Sequence, residues 1–172
     1  MLDFKQKRQL IVLILIVLTV AFIFIQSALP ISVSNKESEA VGDAVGGAIS
    51  GVGSPSEEKK ADLLDFIKKN VRKMAHFAEY ALLGAEFFVL ALFSYGKKGK
   101  LRLKLPFGIK TLLISSLPAI VFSFFDDSIQ ILSKRGYSVI DMWIDTFGYM
   151  SAFTALYIVF FFIGKKGSRI QG

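Results

Sequence analysis

The only histidine in the chain, His76, lies in the stretch VRKMAHFAEYALLG, residues 71–84, where an apolar run begins. At 100° per residue, Arg72, Lys73, His76 and Glu79 fall within an arc of about 120°, so they share one helix face, and Glu86 continues nearly the same stripe. A later apolar run ends FSFFDDSIQIL, which brings Asp126, Asp127 and Gln130 to its close, and Lys134 and Arg135 follow. In DMWIDTFG, Asp141, Asp145 and Gly148 are spaced i, i+4, i+7 along one stripe. These residue types suit acid–base work. His76 could give or take a proton while a carboxylate orients it, which makes Glu79, Asp126, Asp127, Asp141 and Asp145 candidate catalytic partners. Arg72, Lys73 and Arg135 suit an anionic group such as phosphate or carboxylate, with Gln130 as a neutral hydrogen-bonding partner. Several carboxylates could hold Mg²⁺ or Ca²⁺ through oxygen. A single histidine without cysteine argues against zinc, so no metal-ligand set is assigned and the cofactor stays open.

Each residue also has a plainer reading. Arg72 and Lys73 at the end of an apolar run can snorkel to lipid headgroups. Asp141 can serve only as a helix N-cap, and Gln130 only as an interhelical hydrogen-bond partner. The whole set can be a structural ion-pair network. Gly84 and Gly148 suit close helix approach, and Ser115, Ser116, Ser123 and Ser128 suit helix packing. No G-x-S-x-G or Walker pattern is present.

The elements that must position these residues are transmembrane helices. The chain has 172 residues, 53% hydrophobic with 17 Phe, too apolar for an ordinary soluble domain of this length. There is no cysteine, which rules out disulfides and thiolate chemistry. The net charge of +7 comes from basic residues placed beside apolar runs, a topology signal that argues against nucleic acid as a partner. The reading is an all-α, single-domain polytopic membrane protein spanning residues 1–172, with spans at about 10–26, 74–95, 110–132 and 141–163. A basic start and an apolar core also fit a signal peptide, but Ala28-Leu29-Pro30 is a poor cleavage site and three spans follow, so the first span reads as a retained transmembrane helix. Pro118 is expected to kink the third span.

Lys5, Lys7 and Arg8 precede the first span, an acid-free loop carries Lys97, Lys98, Lys100, Arg102, Lys104 and Lys110, and Lys165, Lys166 and Arg169 follow the last. The positive-inside rule puts these segments and both termini in the cytoplasm. The external segment, about 34–70, opens with a capping box of Ser34 and Glu37. Val41, Val45, Ala48, Ile49 and Val52 follow at helical spacing, Gly53 to Ser56 breaks the pattern, and Asp62 to Asn70 resumes it. Both pieces read as interfacial helices, with a flexible loop as the plain alternative.

With this topology, three helices place ionisable residues at one depth in the outer leaflet, where they must face one another around a wet cavity.

RKMAHFAEYALLG resembles the signature of the VanZ-like membrane proteins, a Lys-x-x-His-x-x-Glu-Tyr-x-x-Leu-Gly pattern. DDSIQ is similar to that family's Asp-Glu-x-x-Gln, and KRGYSVIDMWIDTFG to its Gly-Arg loop followed by Asp-x-x-x-Asp/Asn-x-x-Gly. FIFIQSALPISVSNKES resembles its usual opening. The resemblance covers most of the chain and carries the family's polar positions onto Lys73, His76, Glu79, Tyr80, Asp126, Gln130, Arg135, Asp141 and Asp145. Asp127 replaces the usual glutamate, and SK replaces the Pro-Gly before the arginine. The resemblance implies a bacterial cell-membrane protein of four to five spans, linked to resistance to the glycopeptide teicoplanin.

Together these readings lead us to expect a cavity that binds or modifies an anionic envelope lipid or lipid-linked glycan. The expected partners are membrane lipids, a lipid-linked envelope precursor or the glycopeptide antibiotic itself. Enzyme or not is left open: a non-enzymatic lipid or antibiotic binder and a small proton-coupled transporter are the alternatives, and the lack of inverted repeats weighs against transport.

The topology is tested with single cysteines replacing Ser38 and Ser168. An impermeant thiol reagent should label only Ser38→Cys in intact cells, whereas labelling of Ser168→Cys alone would invert the assignment.

Overall fold

The computed structural model describes residues 3–50, 57–95, 109–133 and 139–169. Five helices follow in chain order: α1 (Phe4–Ala28), α2 (Ile31–Ser50), α3 (Glu57–Tyr95), α4 (Ile109–Leu132) and α5 (Val139–Arg169). The all-helical class expected from the sequence is what the described residues adopt. The basic loop through Lys104, the Gly53–Ser56 break, and Lys134 with Arg135 lie outside them.

Local chemistry sets the ends of α1. Asp3 accepts from the Gln6 backbone N–H at 2.7 Å, and the Asp3 N–H donates to the Gln6 side chain at 2.9 Å, closing a capping box. At the other end Leu29 is extended (φ −64°, ψ 142°), as the ring of Pro30 requires of the residue before it. The Pro30 carbonyl then accepts from the Val33 N–H and starts α2. The expected capping box at Ser34 and Glu37 is therefore displaced, because proline begins the helix earlier and leaves Ser34 inside its first turn. α2 packs on α3. Gly42 and Gly46 are buried, while of the expected stripe Val45 is half-buried and Val41 exposed.

The expected external helix before the second span does not end at the membrane. α3 runs unbroken for 39 residues, about 58 Å at 1.5 Å per residue and close to twice a ~30 Å hydrocarbon core. Its apolar part is Asn70–Ser94. Among the described residues three helices are long and apolar enough to cross a membrane: Phe4–Ala28, Asn70–Ser94 and Val139–Ile163. The 24-residue α4, expected as a fourth, is one continuous helix with Pro118 inside it and carries Asp126, Asp127, Gln130 and four serines.

Pairwise contacts give the directions of the helices. Lys5 Nζ and Gln9 Nε2 reach the Ser94 carbonyl and hydroxyl at 3.0 and 3.1 Å, and the Thr19 hydroxyl donates to Glu86 at 2.9 Å, so α1 and α3 are antiparallel. α5 runs parallel to α3, with Gly148 against Phe77 at one end and Phe88 against Phe160, ring centroids 5.3 Å apart, at the other. α4 lies along α1, where Phe24 meets Phe122 and the Ser133 hydroxyl donates to the Ser27 carbonyl at 3.0 Å.

The buried core is Ile16 and Ile23 of α1, Tyr80, Leu83 and Phe88 of α3, Ala119 of α4, and Tyr149, Phe153 and Tyr157 of α5. Around it the surface is apolar. Leu132, Trp143 and Phe147 are each more than 60% exposed, which water would disfavour and lipid would not.

Two glycines set the α3–α5 distance. A Cβ on Gly84 would overlap the Tyr149 backbone carbonyl, and one on Gly148 would overlap that of Phe77. The close approach expected of both is thus a backbone-to-backbone contact that no side-chain movement can relieve. Gly84→Ala should therefore destabilise the bundle by roughly 1–3 kcal/mol, the usual scale of overpacking. Thermal unfolding in detergent measures it, and an unchanged midpoint would contradict this packing.

Candidate functional site

α3 brings Arg72, Lys73, His76 and Glu79 to the end of the bundle where α4 finishes and the apolar part of α5 begins. His76 Nδ1 lies 3.7 Å from Asp126 of α4, 3.9 Å from Asp145 of α5 and 3.9 Å from Glu79 of its own helix. His76 is 9% exposed, Asp126 fully buried and Asp145 1% exposed. The lone imidazole is thus ringed by carboxylates from three helices.

A hydrogen-bonded chain extends outward from this ring. Gln130 Nε2 donates to Asp126 at 2.9 Å, and Arg72 Nη2 donates to Gln130 Oε1 at 2.9 Å. Gln130 therefore passes polarity from a cation to a buried carboxylate, using both ends of its amide. On the far side, the Ser123 hydroxyl donates to Asp145 Oδ2 at 2.9 Å. Ser123, read from the sequence as a packing residue, is fully buried and is part of the site. Its position, three residues before Asp126 and so on the same face of α4, is the signal that could have found it.

A cavity of about 140 Å³ opens beside the ring, lined by Arg72, Lys73, His76, Asp141, Ile144 and Asp145. Arg72 and Lys73 sit at its rim, and Asp141 is in the first turn of α5, where a carboxylate also complements the helix dipole.

The residues singled out in the sequence divide accordingly. His76, Glu79, Asp126, Gln130 and Asp145 come together with Arg72, and Lys73 and Asp141 join them at the cavity. Asp127 is buried at 1% exposure on the same turn of α4, with no hydrogen-bond partner for either carboxylate oxygen among the described residues. Tyr80 is fully buried within electrostatic range of Asp126 and Asp145, but it does not line the cavity. Arg135 lies outside the described residues. Glu86 leaves the stripe: its partner is Thr19 of α1, so it belongs to the helix interface and not to the site.

The sequence profile of the VanZ/LLP1 family matches residues 11–162, a range that includes every one of these positions. No curated protein and no solved structure matches the chain.

Ser123 gives the direct test of this geometry. Ser123→Ala removes the donor to a buried carboxylate oxygen and should lower stability by about 1–3 kcal/mol, the range for leaving a buried acceptor unsatisfied. Ser128→Ala, at a more exposed serine bonded within its own helix to the Phe124 carbonyl, should have little effect. Equal unfolding midpoints for the two variants would mean that the Ser123–Asp145 bond is not formed.

Proposed function

The chain belongs to the VanZ/LLP1 family, and from that premise we propose that its cavity receives the phosphate-bearing headgroup of an anionic envelope lipid or lipid-linked glycan at the outer leaflet of a bacterial membrane. In this reading α4 completes a four-helix transmembrane bundle, α2 and the polar start of α3 lie at the outer surface, and both termini are cytoplasmic. The observation that carries it is the layering of the site, with Arg72 and Lys73 at the rim and His76 among carboxylates beneath. Cations at the rim attract and orient an anion, and Arg72, fixed by Gln130, offers its remaining N–H groups. His76, with Glu79, Asp126 and Asp145 around it, is the group to move a proton to or from the bound headgroup.

Size favours a headgroup over a whole antibiotic. Sites for drug-sized ligands occupy about 300–1,000 Å³, whereas this cavity has about 140 Å³. The acyl chains of a lipid would remain in the bilayer, so only the polar end needs room. An effect on teicoplanin susceptibility then follows indirectly, through the lipid-linked precursors or lipids that a membrane-anchored glycopeptide must reach. Continuity of α3 and α5 through the site weighs against a transporter, whose sites are typically built on broken helices.

Native mass spectrometry from mild detergent should detect a co-purifying anionic lipid, lost in Arg72→Ala. In cells, His76→Ala and Glu79→Gln should abolish the effect on glycopeptide susceptibility while membrane abundance stays near wild type. Glu79→Gln is nearly isosteric, so packing survives where charge does not. If the cluster were only structural, abundance would fall with activity. Unchanged activity per folded molecule in both variants would refute the reading.

A further inference from the structure

Among the described residues of the site, carboxylates predominate. Glu79, Asp126, Asp127, Asp141 and Asp145 gather at one end of the bundle, and among the described residues the basic groups beside them are Arg72, Lys73 and His76. Even with the imidazole protonated, ionised carboxylates would outnumber cations by two. Lys73 is exposed at the rim, so the balance at the buried floor is more unequal still. Buried carboxylates are either matched by a nearby cation or neutralised by a proton, and the geometry at the floor favours a cation.

The geometry at the floor has the form of a coordination shell. One ligand atom from each of His76, Asp126 and Asp145 falls within 4.8 Å of the other two, and all three residues are buried. The separations from His76 Nδ1, 3.7 Å to Asp126 and 3.9 Å each to Asp145 and Glu79, exceed a hydrogen bond. An ion held at about 2.0–2.4 Å sets its ligands roughly 2.8–3.9 Å apart along the edges of an octahedron or tetrahedron. A second observation is independent of these spacings. Asp145, 1% exposed, has Oδ2 anchored by Ser123, while Oδ1, the atom turned to His76, has no hydrogen-bond donor among the described residues. A serine that fixes one carboxylate oxygen and leaves the other presented is the usual way a metal-ligating carboxylate is oriented.

We propose that His76, Asp126 and Asp145 bind one divalent cation of the Mn²⁺ or Zn²⁺ type, the two carboxylates standing in for the further histidines or cysteines whose absence argued against zinc. One imidazole nitrogen with carboxylate oxygens is a mixed donor set that suits these ions better than an all-oxygen cage suits them. The adjoining cavity leaves room for water or a ligand oxygen in an open position. The cation stands between the acidic floor and any anionic headgroup, and it is inferred from the protein's own residues, independently of which lipid binds.

The test uses the full chain without a polyhistidine tag, stripped with chelator in detergent and titrated with Mn²⁺ alone. Electron spin echo should show modulation from one imidazole nitrogen, which can come only from His76 because the chain has no other histidine. Binding should saturate at one ion per chain, Zn²⁺ should displace Mn²⁺, and the thermal midpoint should rise with the ion. His76→Ala should remove the nitrogen signal, and Asp145→Asn should weaken affinity tenfold or more. Saturable binding without the nitrogen signal, affinities unaffected by either substitution, or no saturable binding at all would each overturn the proposal. Should a variant fail to fold, the nitrogen signal of the wild-type protein decides alone. A bound cation with no co-purifying lipid would sink the headgroup reading and leave the cation site standing.

Discussion

Burying Asp126, Asp145 and His76 together is the constraint around which the rest of the bundle is arranged. A carboxylate removed from water is tolerated only with partners close by, and the partners here come from three different helices. α3, α4 and α5 must therefore meet at one depth, to within ångströms, or each would carry an isolated charge. Gly84 and Gly148 make that meeting possible by letting the backbones of α3 and α5 touch. Gln130 then links the buried Asp126 to Arg72, whose long side chain can reach polar surroundings.

α1 does a different job. Val12, Ile16, Ile23 and Ser27, spaced so that they fall on one side, are its buried residues, and most of its other large side chains are exposed. It lies along α3 and α4 with no residue in the ionic cluster, and its polar contacts mark the two ends of the bundle. At the end away from the site, Lys5 donates to the terminal carbonyl of Ser94, where a cation complements the C-terminal end of the α3 dipole, and Arg8 lies over the Phe4 ring. At the site end, Ser133 ties the α1 terminus to that of α4. α1 thus acts as a brace that fixes α4 along its length, and α4 contributes Ser123, Asp126 and Gln130.

The sequence made the ionic face legible because a membrane leaves polar residues few places to go. His76, Glu79, Asp126, Gln130, Asp141 and Asp145 stand out against apolar neighbours, and helical spacing already puts them on shared faces. Less visible was anything decided by which helix becomes the neighbour. Glu86 keeps the same angular register as Glu79, yet two turns further on that direction meets Thr19 of α1. Ser123 resembles every other serine on α4 until Asp145 is seen opposite it. The Ser34–Glu37 pair looks like a helix start, but Pro30, four residues before Ser34, already begins α2.

Two signs of charge in depth order say something about the ligand. A site for a simple anion would continue its cations inward, whereas here Arg72 and Lys73 give way to His76, Asp145 and the fully buried Asp126. An anion drawn in by the rim would meet repulsion at the floor, at distances where low polarity magnifies every charge. Something positive between the two layers would reconcile them: a protonated imidazole, or the cation proposed for His76 and its carboxylates. The imidazole alone is a single charge facing Asp126, Asp145 and Glu79 at nearly equal distances. A divalent ion held by His76, Asp126 and Asp145 would match both carboxylates and still present positive charge to the cavity. Under the two proposals, the acidic floor would hold the ion and the basic rim would steer the headgroup phosphate to it.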